Sequence, residues 1–199
     1  MSLETLDFLD PGLLVDDELE LVLPAEEYID DILAACRHPL TVRDMPLQAK
    51  TTRDELVAFL YQHPQGFTRG DPFRQLAPAY TFWMRLRTNS GLPVSMAGSI
   101  GLRLAHNTNL ELYLGHIGYH VYPPARGRHF AQRACRLVLP LARAHGFSEL
   151  WITTNPDNLP SRRTCERLGA TLVDIVPLPR THPLYAQGDR EKCRYRLTL

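Results

Sequence analysis

No stretch of this chain stays hydrophobic for long. Without an apolar run near the ~20 residues that cross a bilayer, no membrane span is expected. Neither charge sign is in excess: Lys+Arg and Asp+Glu number 22 each, so the formal net charge is zero. That argues against a general nucleic-acid binder, which is normally basic overall; it leaves room for a local anion site. Cysteine is sparse. The four thiols, Cys36, Cys135, Cys165 and Cys193, form no C-x-x-C pair and no zinc-ribbon spacing. Reduced thiols in a cytoplasmic protein are the expectation. Residues 1–7 lack a basic segment followed by an apolar one, so no secretory signal is read there. Internal repeats and low-complexity tracts are missing too, which excludes a solenoid. At 199 residues the chain is long enough to bury a full core without staples. We read an N-terminal arm over 1–17 and a single domain over 18–199.

What is present is a change of period. Residues 18–23 alternate apolar and polar and predict a strand. Residues 25–37 have helical spacing, with acids in the first turn where the helix dipole favours them. Thr52 and Glu55 are spaced as a capping box ahead of the stripe Leu56, Phe59, Leu60. A Gly-, Pro- and Arg-rich loop follows over 64–78. From Tyr80 the period becomes two, predicting strands at 80–87, 96–105 and 110–122 with turns at 89–91 and 106–109. Residues 127–145 predict the strongest helix, bent but not stopped by Pro140. A strand at 149–154, a helix at 159–168 ended by Gly169, and strands at 171–176 and 190–199 complete a mixed α/β pattern.

The most informative segment is 115–131. It reads as a strand, a Pro-broken turn, a short basic loop and the first turn of a long helix. A strand that delivers a loop to a helix N-terminus makes an anion seat, because unpaired N–H groups and the helix dipole both face outward there. Arg126 and Arg128 stand in that loop, so a phosphorylated ligand is the first expectation. A solvated basic loop is the plainer alternative. His116 and His120 are four apart, but on a strand their Cα atoms would be about 13 Å apart, so no metal site is expected.

Three segments together resemble the GNAT superfamily of acyl-CoA-dependent N-acetyltransferases. The first is the loop Arg126-Gly-Arg-His-Phe-Ala131, similar to the family's Gln/Arg-x-x-Gly-x-Gly/Ala. The second is the strand before it, 116–121. The third is the run from Asn158 through Ser161 and Cys165 to Gly169, which looks like the family's Asn-x-x-Ala/Ser segment. The resemblance implies a mostly antiparallel central sheet of about six to seven strands flanked by helices in a layered α/β fold, with a splayed strand pair holding the cofactor. It implies acetyl-CoA as co-substrate and an amine as acceptor. The pyrophosphate would rest on Gly127, Arg128, His129, Phe130 and Ala131, with Arg126 and Arg128 neutralising charge. The pantetheine arm would lie along His120, Val121 and Tyr122, with Asn158 and Ser161 on its other side. His129 stands where the family usually has Gly, a departure that matters if its φ is positive. Asn158 and Ser161 also read as helix caps.

For the chemistry, an ammonium must lose a proton before it attacks, and a base with pKa near 7 suits that task. His116 falls where some members carry a base glutamate; Glu111 and His120 compete with it. The family's thiol-protonating tyrosine lies seven residues after Asn158, and here that residue is Cys165, which also reads as a packing residue. Tyr119 or Tyr122 is then the candidate acid. The missing tyrosine keeps a second reading open, a non-catalytic acyl-CoA-binding regulatory domain. A homodimer is expected by family habit alone.

Overall fold

The computed structural model describes residues 8–71, 76–87 and 90–199. Its central sheet has six strands: β1 (Leu14–Val15), β2 (Leu19–Val22), β3 (Phe67–Thr68), β4 (Ala79–Leu86), β5 (Met96–Arg103) and β6 (Ile117–Val121). Their order is β1-β2-β4-β5-β6, with β3 also paired to β4, and every pairing is antiparallel. A second sheet has three strands, β7 (Glu149–Thr154), β8 (Thr171–Pro177) and β9 (Glu191–Thr198), in the order β7-β9-β8.

Period-two alternation sorts the two faces of the central sheet. Tyr80, Phe82 and Met84 of β4, and Ile100 and Leu102 of β5, are almost completely buried. They share one core with Phe130, Ala134, Val138 and Leu141 of α4 (Phe130–Ala144). Each large apolar side chain among them contributes roughly 1.5–3 kcal/mol by leaving water. The opposite face carries Trp83, whose ring meets Tyr28, just before α1 (Ile29–Arg37), and Phe59 of α3 (Arg53–Gln62). The short α2 (Pro39–Asp44) follows α1. Helix α3 starts at the expected capping box, both halves of which are formed. Helix α5 (Leu159–Leu168) has the expected bounds and ends on Gly169 in the left-handed region. A one-turn helix, α6 (Pro183–Ala186), sits between β8 and β9.

Two expectations need correction. Residues 110–122 are not one strand: Leu110–Leu114 form a π-type helical turn. Asn107 opens it, its Oδ1 accepting from Leu110 N at 2.9 Å, and Gly115 ends it with φ 70°. Leu110, Leu112 and Leu114 suit either period over so short a run, so alternation could not decide. Helix α4 begins at Phe130 rather than 127, because Gly127 and His129 both have positive φ. It then runs through Pro140 as one helix. The expected turn at 89–91 falls partly outside the described residues, as do most of the arm's first residues. The end of that arm pairs as β1 with β2.

Candidate active site

The site is a wedge between β6 and β7. These strands run side by side through the crossover helix α4, yet they form no ladder. Where they meet, His116 N–H donates to Trp151 O at 2.6 Å. The return bond is not backbone to backbone: Trp151 N–H donates to His116 Nδ1 at 2.8 Å. An imidazole therefore takes the place of the next ladder acceptor, and the strands part beyond it. Because Nδ1 accepts, the ring proton sits on Nε2, which donates to Ala105 O at 3.1 Å. His116 is 1% exposed. Burial, first of several causes, brings its pKa down to about 4.

The open side of the wedge is a cleft of about 660 Å³. Strand β6 supplies Tyr119, His120 and Val121. The loop and the start of α4 supply Arg126, Gly127, His129, Phe130 and Ala131, and α5 with its cap supplies Asn158, Ser161, Arg163 and Arg167. Among the described residues no carboxylate lines it, while three arginines do. The first N–H of α4 to reach a carbonyl is that of Arg133, bonded to His129 O at 3.0 Å. The N–H groups before it belong to the unpaired helix end, where an anion is favoured. The chain thus presents a cationic, donor-rich cradle for a diphosphate, and acetyl-CoA fits it on charge and on backbone chemistry.

Of the residues expected to hold the cofactor, His120, Val121, Arg126, Gly127, His129, Phe130, Ala131, Asn158 and Ser161 are brought together here. Arg126 Nε donates to Val121 O at 3.1 Å, tying loop to strand. His129 is the N-cap of α4 with φ 60° and ψ 21°. A left-handed L-residue costs roughly 1 kcal/mol, and the ring accepts from Arg167 Nη1 at 2.8 Å. Asn158 does cap α5, its Oδ1 accepting from Ser161 N at 3.2 Å.

Arg128 and Tyr122 are not in the cleft. Arg128 turns to the acidic run at 16–18, donating to Glu18 Oε1 at 3.1 Å and to Ser90 O at 2.8 Å. Tyr122 N–H is spent on Ala97 O, and its phenol is buried beside Cys36 Sγ at 3.6 Å. Burial raises that phenol's pKa.

The catalytic candidates also separate. His116 has both ring nitrogens committed, and its burial holds it neutral, so it pins the wedge and does not face the cleft. Glu111 lies in the π-type turn, with its carbonyl accepting from Arg194 Nε at 2.9 Å, and is not among the cleft-lining residues. His120 does line the cleft. Its Nδ1 bonds Ser99 Oγ at 3.1 Å, and its Nε2 is the one buried side-chain polar atom without a partner among the described residues. Burial, with the nearby Arg126 charge, lowers its pKa to about 4. Tyr119 reaches from β6 to α5, where its phenol meets Ser161 Oγ at 2.9 Å; burial raises its pKa. Cys165 is wholly buried, and burial pushes its thiol up to about 12.

Sequence reasoning missed Arg163, Thr164 and Arg167. The signal was there: with Pro160 they repeat at i, i+3, i+4 and i+7, one face of α5. That face turned out to be the cleft wall.

An acyl-CoA-binding α/β fold with a splayed strand pair is the class these features define. A family model described as "Acetyltransferase (GNAT) domain" matches residues 18–171. The chain belongs to the GNAT acetyltransferase family, and as a member it is an acyltransferase with acetyl-CoA as co-substrate. Among solved structures it resembles the microcin C7 self-immunity acetyltransferase MccE in complex with acetyl-CoA and AMP, at 18% identity and TM-score 0.65, covering 92% of this chain and 94% of that one. It also resembles a putative ribosomal-protein-serine acetyltransferase from Vibrio cholerae, at 17% identity and TM-score 0.64, covering 96% and 100%. A third is RimL, a ribosomal L7/L12 alpha-N-protein acetyltransferase, in complex with coenzyme A, at 18% identity and TM-score 0.63, covering 94% and 98%. At these identities the likeness is one of fold. Among curated proteins, no sequence match was found.

Proposed function

We propose that this enzyme moves an acetyl group from acetyl-CoA to a primary amine, of a small molecule or a peptide, by direct attack. The observation that carries the reading is the arginine-lined cleft between β6 and the α4–α5 wall, which opens at a wedge pinned by His116. Acetyl-CoA supplies an activated acyl group as its thioester. Arg126, Arg163 and Arg167 offset the phosphate charge, and the N–H groups from Gly127 to Ala131 seat the diphosphate. The edge of β6 that faces away from β5 lends its N–H and C=O groups to the pantetheine amides, as an added strand would. Asn158 and Ser161 close the other side.

His120 is the proposed proton acceptor for the incoming amine. Burial and the Arg126 charge hold the ring unprotonated before substrate binds, and its lowered pKa must rise as the charged amine arrives for the transfer to run near pH 7. With Nδ1–H donating to Ser99 Oγ, Nε2 keeps its lone pair; buried and without a partner, it takes the proton once the ring turns toward the bound amine. Tyr119 keeps its phenolic proton at any ordinary pH, and with Ser161 it forms a hydroxyl pair that can return a proton to the departing sulfur. It does from a strand what Cys165, buried in the α5 interface, is placed too deep to do.

The test combines acetyl-CoA calorimetry with thiol release over a panel of amines. Acetyl-CoA binding with thiol release for at least one amine is expected. The His120→Ala variant should lose about 100-fold in kcat or more, with acetyl-CoA affinity within about threefold. Binding without thiol release for any amine would make the chain a regulatory acyl-CoA-binding domain instead.

A further inference from the structure

His120 and Arg103 lie on the face of the sheet away from α4, which Tyr28 and Phe59 cover only at its Trp83 end. Two rows of paired positions cross β4, β5 and β6 there. Trp83, Ser99 and His120 form one; Thr81, Gly101 and Gly118 form the next. The second row has a single side chain, so it is a furrow, and none of its three residues is buried. Arg103, at the end of β5, leans over it. A Cβ added to Gly118 would lie 3.2 Å from Arg103 Nη1 and 3.4 Å from Nη2. The guanidinium is fixed at the apex of the wedge, with Nη1 donating to Leu114 O at 3.3 Å and to Gly115 O at 3.1 Å.

Its charge is unmatched. Three other arginines that bridge the strands and α4 each have a carboxylate beside them: Arg85 has Glu20, Arg133 has Asp16 and Glu18, and Arg194 has Asp174. Arg103 pairs with none among the described residues, and burial alone lowers its pKa. A partly buried cation without a counter-charge is costly unless something supplies one. Nε and Nη2 make no hydrogen bond among the described residues. Those two atoms are one edge of the planar fork that takes a carboxylate in bidentate fashion. Gly118, under the guanidinium, is two residues from His120, about 7 Å along the strand. An amine at His120 and a carboxylate at Arg103 therefore fit within one small molecule or one chain end.

We propose that Arg103 is the specificity-determining anchor of the acceptor, and that the acceptor is an amine bearing a carboxylate, either a free amino acid or the acidic N-terminal end of a peptide. The proposal rests on the acyl-transfer reading above and names its substrate class. It is tested through binding of reaction products, which needs no turnover. With saturating coenzyme A, calorimetry compares N-acetylalanine with its amide, and N-acetyl-Asp-Ala-amide with N-acetyl-Asn-Ala-amide. The first pair probes an amino acid and the second a chain end. The acid of at least one pair should bind the wild type tenfold tighter or more, and which pair does so identifies the source. Arg103→Gln, which removes the charge and the planar fork but keeps a hydrogen-bond donor on a shorter side chain, should abolish the preference while coenzyme A affinity is kept. Arg103→Lys should keep part of it. If the glutamine variant does not fold, Gly118→Ala serves, since its methyl group crowds the guanidinium and should cut the preference severalfold. Equal binding of acid and amide in both pairs, or a preference undiminished in Arg103→Gln or Gly118→Ala, overturns the proposal. An acid preference without turnover of any amine supports Arg103 as anchor and ends the acyl-transfer reading; turnover of neutral amines without an acid preference does the reverse.

Discussion

At the scale of the residue, His116 decides the most. Its ring accepts from one strand and donates to the loop before the π-type turn, so it must be neutral. Folding therefore lowers its pKa from 6.5 to about 4. The unfolded chain binds the extra proton between those values. Stability from this group is complete above about pH 6.5 and is lost as pH falls toward 4, on the order of 3 kcal/mol in all. His120, also lowered to about 4, adds to the same window. Urea unfolding of the wild type should show a midpoint that drops steeply from pH 7 to pH 4. A His116→Gln variant should start lower and fall about half as steeply. An equal slope in the two proteins would show that His116 does not carry the linkage. At this same scale the sequence located the histidines but not their partners. Trp151 is 35 positions from His116, and no local pattern reports which strand a ring will meet.

At the scale of the element, α5 and the loop before α4 divide the arginines. Arg163 and Arg167 share the face of α5 that lines the cleft, whereas Arg128 is captured by Glu18. Replacing both Arg163 and Arg167 by Glu should weaken acetyl-CoA binding by about 10- to 100-fold, since two charge-assisted contacts become repulsions. Arg128→Glu should leave the affinity within about threefold and lower stability by about 1 kcal/mol or less, as expected for an exposed pair. Calorimetry and thermal melts read both. Equal loss of affinity in the two variants would restore Arg128 to the cofactor site. Elements with strong local signals were legible: the capping box of α3, the bounds of β7, and α5 with its Gly169 stop. The π-type turn was not, because five residues with Leu at every second position satisfy two periods at once.

At the scale of the whole molecule, the two sheets are joined at the apex of a wedge and held on one side by α4 and α5. A ligand that fills the wedge bridges both sheets and binds only the folded chain. Acetyl-CoA at about a hundredfold excess over its Kd should add about 2.7 kcal/mol, a rise in Tm of roughly 5–10 °C for a chain of this size. Scanning calorimetry checks this, and an unchanged Tm would remove the cofactor from the cleft. Among the described residues, no helix is long and apolar enough to cross a membrane.

The sequence by itself determined the run of strands and helices from β4 onward, the π-type turn and α6 apart, along with the basic strand–loop–helix seat and the family resemblance. These rest on local period, caps and spacing, which act over a few residues. Only the tertiary structure decided that Arg128 faces Glu18, that His116 is a pin while His120 lines the cleft, and that Arg103 stands uncompensated over Gly118 among the described residues. Each of these depends on partners brought together from distant parts of the chain, and burial and charge pairing are settled only when the sheets and helices pack.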